Sequence, residues 1–181
     1  MTALRRDLWM AHLSAAAIAA QVLESMLPGL GPWFKPGLAN IFTLVALRGW
    51  GMRAAITVSL TRVGVSALAL GTFPGPTFWL SLGGALAALL ALGLGHGLLP
   101  NRLGPVGLSL LASLAHMTGQ TLVAEWLILH HPAIWSALPW FLTGAWLTGL
   151  FNGLLAFFIL ERLMQLDTLL GTSPHSRLPV P

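Results

Sequence analysis

The sequence predicts an all-α polytopic membrane protein, a bundle of six transmembrane helices with its N- and C-termini in the cytoplasm. Three observations predict it. The 181 residues are 56% hydrophobic and only 8% charged, and their mean hydropathy is +0.80. A soluble domain carries roughly 25% charged residues, so a surface this poor in charge has to face lipid. Apolar runs long enough to cross a bilayer, about 20 residues each, recur between turn-forming clusters. Finally, basic residues gather on alternate connections, which orients the chain.

The apolar segments fall at approximately 8–27, 36–48, 53–71, 78–99, 106–130 and 138–162. Residues 1–170 thus form a single six-helix domain. The remaining 171–181 carry Pro and Ser and are expected to be a flexible tail. The first segment follows Arg5 and Arg6, and Ala17-Ile18-Ala19 resembles a signal cleavage site. Asp7 and His12 interrupt that run, and cleavage would leave an odd number of spans, so a retained helix is expected. The second segment is short, and it opens on Lys35, Pro36 and Gly37. The connections carry Pro28-Gly29, Gly49-Trp50-Gly51, Pro74-Gly75-Pro76, Pro100-Asn101 and His131-Pro132. With six spans, Arg5, Arg6, Arg48, Arg53, Arg102, Arg162 and Arg177 all lie on one side and Lys35 alone on the other. That bias places the termini in the cytoplasm, at the cell's inner (cytoplasmic) membrane. The tryptophans fit interfacial belts, with Trp33, Trp79, Trp135 and Trp140 near the outer ends and Trp9 and Trp50 near the inner ones.

Several function classes are excluded at this stage. Without cysteine there is no disulfide framework, thiolate metal site or cysteine nucleophile. The +4 charge is dispersed over separate loops, which argues against nucleic acid as a partner. Gly93-x-Gly95-x-Gly97 lacks the strand and lysine of a phosphate loop. No metal site is expected, because His116 and the His130-His131 pair are roughly 21 Å apart along a helix. No catalytic residue or cofactor is expected either, since Asp7 and Asp167 stand at the cytoplasmic ends, away from any histidine–serine pair.

Polar groups inside a bilayer are costly and call for a partner or a wet cavity. Arg62 stands mid-segment, with Ser59 and Ser66 on the same face as a polar seam. It either binds an anionic ligand, together with Lys35, or pairs with Glu24 or Glu125. His116 and Gln120 share a helix face and could hydrogen-bond a ligand, with His116 able to change charge near neutral pH. Asn40 lies about one turn inside the second segment and Asn152 deep in the sixth. Either could reach a ligand or a neighbouring backbone. Small residues at helical spacing permit close packing: Gly83, Ala87, Ala91 and Gly95 in the fourth segment, Gly149 and Gly153 in the sixth. The face of Ala11, Ala15 and Ala19 suits either an internal or an external partner helix.

Lys35-Pro36-Gly37-Leu38-Ala39-Asn40 resembles the Lys-x-Gly-Leu-Ala-Asn segment of the Gx transporter family, also labelled heptaprenyl diphosphate synthase component I. The resemblance continues through Arg62, Ser81-Leu82-Gly83-Gly84, Gly107-Leu108-Ser109 and Ala115-His116-Met117-Thr118-Gly119-Gln120, and covers about residues 24–155. One departure is Met117, where the family usually has Asn. The family is similar to the substrate-binding membrane subunits of energy-coupling-factor transporters. That similarity implies an outward-facing pocket and an Ala-x-x-x-Ala face that docks a coupling subunit, which Ala11, Ala15 and Ala19 would supply.

The expected function is a membrane-embedded substrate-binding or transport subunit for a small, polar or anionic molecule. Lys35, Asn40, Arg62, His116 and Gln120 are expected to line its pocket. Membrane lipid and a small ligand are its expected partners, with a coupling subunit beside them. The alternative is a membrane partner subunit of a heptaprenyl diphosphate synthase, and an assembly factor for a redox complex is a third reading.

Overall fold

The computed structural model describes residues 3–26, 37–98 and 102–169. Among them every regular element is helical: α1 (Ala3–Met26), α2 (Ala39–Trp50), α3 (Met52–Ala69), α4 (Pro76–Leu98), α5 (Pro105–Ala124) and α6 (Ile134–Leu169). A π-helical turn, Glu125–Leu129, prolongs α5 and ends on His130, whose φ of 48° stops the helix. The six elements follow the six predicted segments. α1 begins five residues earlier than expected and α6 runs on to Leu169. α2 is shifted to start after Gly37, whose φ of 72° suits a residue with no Cβ. Lys35, Pro36 and the tail from 171 lie outside the described residues.

α2 is the centre of the bundle. It packs on α1, α3, α5 and α6, and Ala39, Ile41 and Thr43–Leu47 are all buried. Its Asn40 and Thr43 are polar groups that lipid could not accept, and neighbouring helices surround them. Around it α1 packs on α3, α3 on α4, α4 on α5 and α5 on α6. The hinge from α2 to α3 is the single residue Gly51, at φ 84° and ψ −177°, whose amide donates to the Leu47 carbonyl at 2.9 Å. Only glycine adopts that backbone without strain.

Helix–helix contacts are made through small residues. A Cβ on Gly119 would lie 2.6 Å from the Cβ of Ala87 and 2.7 Å from the Gly83 carbonyl oxygen. One on Gly153 would lie 2.7 Å from the Val106 Cα, and one on Gly149 2.9 Å from Ser113. The small ridges of α4 and α6 are thus spent on α5, as internal packing. In lipid, where apolar surface gains little by leaving its surroundings, close backbone approach of this kind holds helices together.

The outside is apolar. Leu90, Trp140 and Phe158 are 67%, 79% and 57% exposed, in company with many other leucines and phenylalanines. An apolar surface on this scale belongs in a bilayer. Three helical stretches, Pro76–Leu98, Pro105–Leu129 and Ile134–Gln165, are long and apolar enough to cross one by themselves. The other three helices have visible reasons for falling short. α2, with 12 residues, measures about 18 Å at 1.5 Å per residue. α1 carries Arg6, Asp7 and Glu24, and α3 carries Arg53 and Arg62. The Trp9 and Trp50 rings meet with centroids 5.8 Å apart, which joins the start of α1 to the end of α2.

Candidate functional site

The amino end of α2 opens into a cavity of about 70 Å³. At about 10–15 Å³ for each water-sized occupant, that is room for roughly five waters or a small organic molecule. Its wall takes Gln21 and Glu24 from α1, Asn40 from α2, Arg62 from α3, Ser81 from α4, Ser113, His116 and Gln120 from α5, and Thr148 and Asn152 from α6. All six helices contribute a polar side chain, in a protein where such side chains are scarce.

Each is placed by a local device. Gly84 on α4 leaves the room that His116 and Gln120 occupy: a Cβ there would sit 2.7 Å from the imidazole Cε1 and Nε2 and 2.8 Å from the Gln120 Cγ. The four-residue spacing of His116 and Gln120 puts both over that gap. Arg62 is 5% exposed and Glu24 7%. They line the same cavity from adjacent helices, and the carboxylate attracts the guanidinium. The Nε of Arg62 has no hydrogen-bond partner among the described residues. Ser66 turns back onto its own helix, donating to the Arg62 carbonyl at 2.5 Å.

Glu24 has a second task. Its Oε1 accepts the backbone N–H of Leu38, at the first turn of α2. The first amides of a helix have no partner within it, and a carboxylate placed there also meets the positive end of the helix dipole. Across the same turn, Asn152 Nδ2 donates to the Gly37 carbonyl at 3.2 Å. The amino end of α2 is therefore pinned by α1 on one side and α6 on the other, and Asn40 is held at the cavity floor.

Glu125 is elsewhere. Its Oε2 accepts from Trp135 Nε1 at 2.7 Å, at the α5–α6 turn, and it takes no part in the cavity. Of the two acidic residues expected to face Arg62, Glu24 is the one the fold brings there. Lys35 lies outside the described residues. Ala11, Ala15 and Ala19 form an exposed strip on α1, whose buried face is instead Leu13 and Ala17. Among the described residues no three His, Asp or Glu side chains come close enough to hold a metal.

A family model described as heptaprenyl diphosphate synthase component I matches residues 13–159. The chain belongs to the heptaprenyl diphosphate synthase component I family. Every residue of the cavity wall lies inside the range matched to that family. No curated protein and no solved structure matches the chain. Met117 is itself in the cavity wall and 9% exposed.

Sequence reasoning missed Gln21, Ser81, Ser113 and Thr148 as wall residues. Three of them carried a signal. Gln21 precedes Glu24 by three, Ser113 precedes His116 by three, and Thr148 precedes Asn152 by four, all spacings that share a helix face. Ser81 offered none of that kind.

Proposed function

We propose that this protein is a binding or transport subunit of the cytoplasmic membrane for a small polar molecule, with no catalysis of its own. The observation that carries the reading is that Asn40, Arg62, His116 and Gln120, separated by up to 80 positions, line one cavity between lipid-facing helices. Buried ionisable and amide groups inside a membrane bundle mark ligand and ion pathways. Arg62 gives an anionic group on such a ligand a cationic foothold, and Glu24 offsets its charge, so an acid that also bears hydrogen-bonding groups suits the wall best. The chain crosses the membrane six times, its termini are cytoplasmic, and the cavity lies in the outer half. The side bias of the arginines supports that orientation. The exposed Ala11, Ala15 and Ala19 suit close approach by a coupling subunit.

The test is a thermal-shift screen of the purified protein against small carboxylates, phosphates, amino acids and neutral amides, repeated on Arg62→Ala. Hits that stabilise the wild type and not the variant are expected. If Arg62→Ala keeps full affinity for every hit, the arginine is structural and the reading fails.

The family description favours a second reading, a membrane partner of a prenyl diphosphate synthase. It predicts co-purification of that enzyme and altered product length on co-expression. A pull-down that brings down no synthase would count against it.

A further inference from the structure

A second space of about 10 Å³, the size of one water, lies between α2, α3, α4 and α5. It shares Asn40 and Ser113 with the main cavity and is further lined by Thr43, Ser59, Ser109 and Ala88. Its position relative to the main cavity is consistent on every helix. From Asn40 the wall moves on to Thr43, from Arg62 back to Ser59, from Ser81 on to Ala88, and from Ser113 back to Ser109. On antiparallel helices these steps all run the same way, toward the carboxyl end of α2, by about 5–10 Å at 1.5 Å per residue.

Thr43 is the residue in this wall that calls for a partner. Six other helical hydroxyls in this protein donate to the carbonyl four residues back: Thr57 to Arg53, Ser66 to Arg62, Thr118 to Leu114, Thr121 to Met117, Thr143 to Pro139 and Thr148 to Gly144. The Thr43 hydroxyl does not. It is buried, the residue is 4% exposed, and the oxygen has no hydrogen-bond partner among the described residues. A buried hydroxyl left dry is costly, and a site of one water's volume ringed by hydroxyls removes the cost. A cation is a poorer occupant. No carboxylate lines the space.

We infer that the polar lining of the cavity continues along α2 as a hydrated seam, with one water held by Thr43, Ser59 and Ser109. This hydration does not depend on the orientation or the ligand proposed above.

Two measurements on the full-length protein in detergent test the hydration without any ligand. The first is the melting temperature of Thr43→Val, which replaces the hydroxyl by a methyl of the same shape. A hydroxyl satisfied by water gives a loss of a few degrees, whereas a dry, unpartnered one gives a gain or no change. The second uses the absence of native cysteine. Ser59→Cys and Ser109→Cys are treated with a small methanethiosulfonate reagent, whose sulfenyl sulfur the thiolate attacks with loss of methanesulfinate to leave a mixed disulfide. A thiol at a wet site ionises and one in apolar packing does not. Both variants are expected to react at least about ten-fold faster than Ala54→Cys, a buried apolar position on the same helix as Ser59. A rise or no change for Thr43→Val, or rates no faster than Ala54→Cys, overturns the inference. If the ligand screen fails while these two results hold, the ligand reading of the main cavity falls and the hydrated seam stands.

Discussion

Alanine at Gly119 and alanine at Gly84 introduce the same methyl group at nearly the same crowding, and the structure separates their consequences. At Gly119 the new Cβ would stand 2.6 Å from the Ala87 Cβ and 2.7 Å from the Gly83 carbonyl oxygen. A backbone carbonyl cannot step aside without moving α4, so the two helices must separate. Overpacking of this kind costs about 1–3 kcal/mol, and the upper end applies where backbone is the obstacle. Alanine returns at most about 1 kcal/mol through helix propensity. The expected net loss is about 2 kcal/mol, a fall in melting temperature of about 4–8 °C for a chain of this size. At Gly84 the obstacles are the tip of the His116 ring and the Gln120 Cγ. Both side chains can swing into about 70 Å³ of open cavity. The strain then sits near 1 kcal/mol, and the propensity gain offsets it. Gly84→Ala should melt within about 2 °C of wild type while moving both side chains off their places and losing any ligand they hold. Thermal unfolding followed by tryptophan fluorescence, beside the ligand screen, reads both effects. Equal destabilisation by the two variants, or a wild-type melting temperature for Gly119→Ala, would refute the assignment of backbone contact to one glycine and side-chain contact to the other.

Three further outcomes are expected. Glu24→Gln leaves the buried Arg62 without its facing carboxylate and weakens the bond to the Leu38 amide. A loss of about 3–5 kcal/mol is expected, much of it recovered in Glu24→Gln/Arg62→Met, so denaturation of the double-mutant cycle that finds additive costs rules the coupling out. Arg48 Nη2 donates to the Leu103 carbonyl at 2.6 Å and ties the end of α2 to the α4–α5 connection. Arg48→Met should cost about 1.5–3 kcal/mol, with partial rescue by Lys, in the same unfolding assay. Asn152→Leu removes the hydrogen bond to the Gly37 carbonyl. The expected cost is about 0.6–1.7 kcal/mol, with faster proteolysis around residue 37 as the local readout.

Much of this was legible in the chain because a bilayer imposes simple rules. An apolar run bounded by Pro and Gly has little choice but to be helical when no water is present to satisfy its backbone. The segments around α3 to α6 therefore declare themselves. Arg62, His116, Gln120 and Asn40 also stand out, since a polar group inside an apolar run has few explanations. What the sequence could not rank were partners. Glu24 and Glu125 are equivalent as carboxylates, and the choice between them depends on which helices adjoin. α1 lies beside α3 and delivers Glu24, whereas the π-helical turn carries Glu125 toward Trp135.

By itself, then, the sequence determined the helical class, the approximate segments and the set of hydrophilic residues lipid could not tolerate, because these follow from composition and short-range spacing. Only the tertiary structure decided that the shortest helix, α2, is the central one, that Glu24 both caps it and lines the cavity with Arg62, and that the buried Thr43 hydroxyl has no hydrogen-bond partner among the described residues. Each of those depends on contacts between residues far apart in the chain. Helix–helix packing in lipid is set by glycine-scale shape complementarity, and no local pattern encodes which ridge will meet which groove.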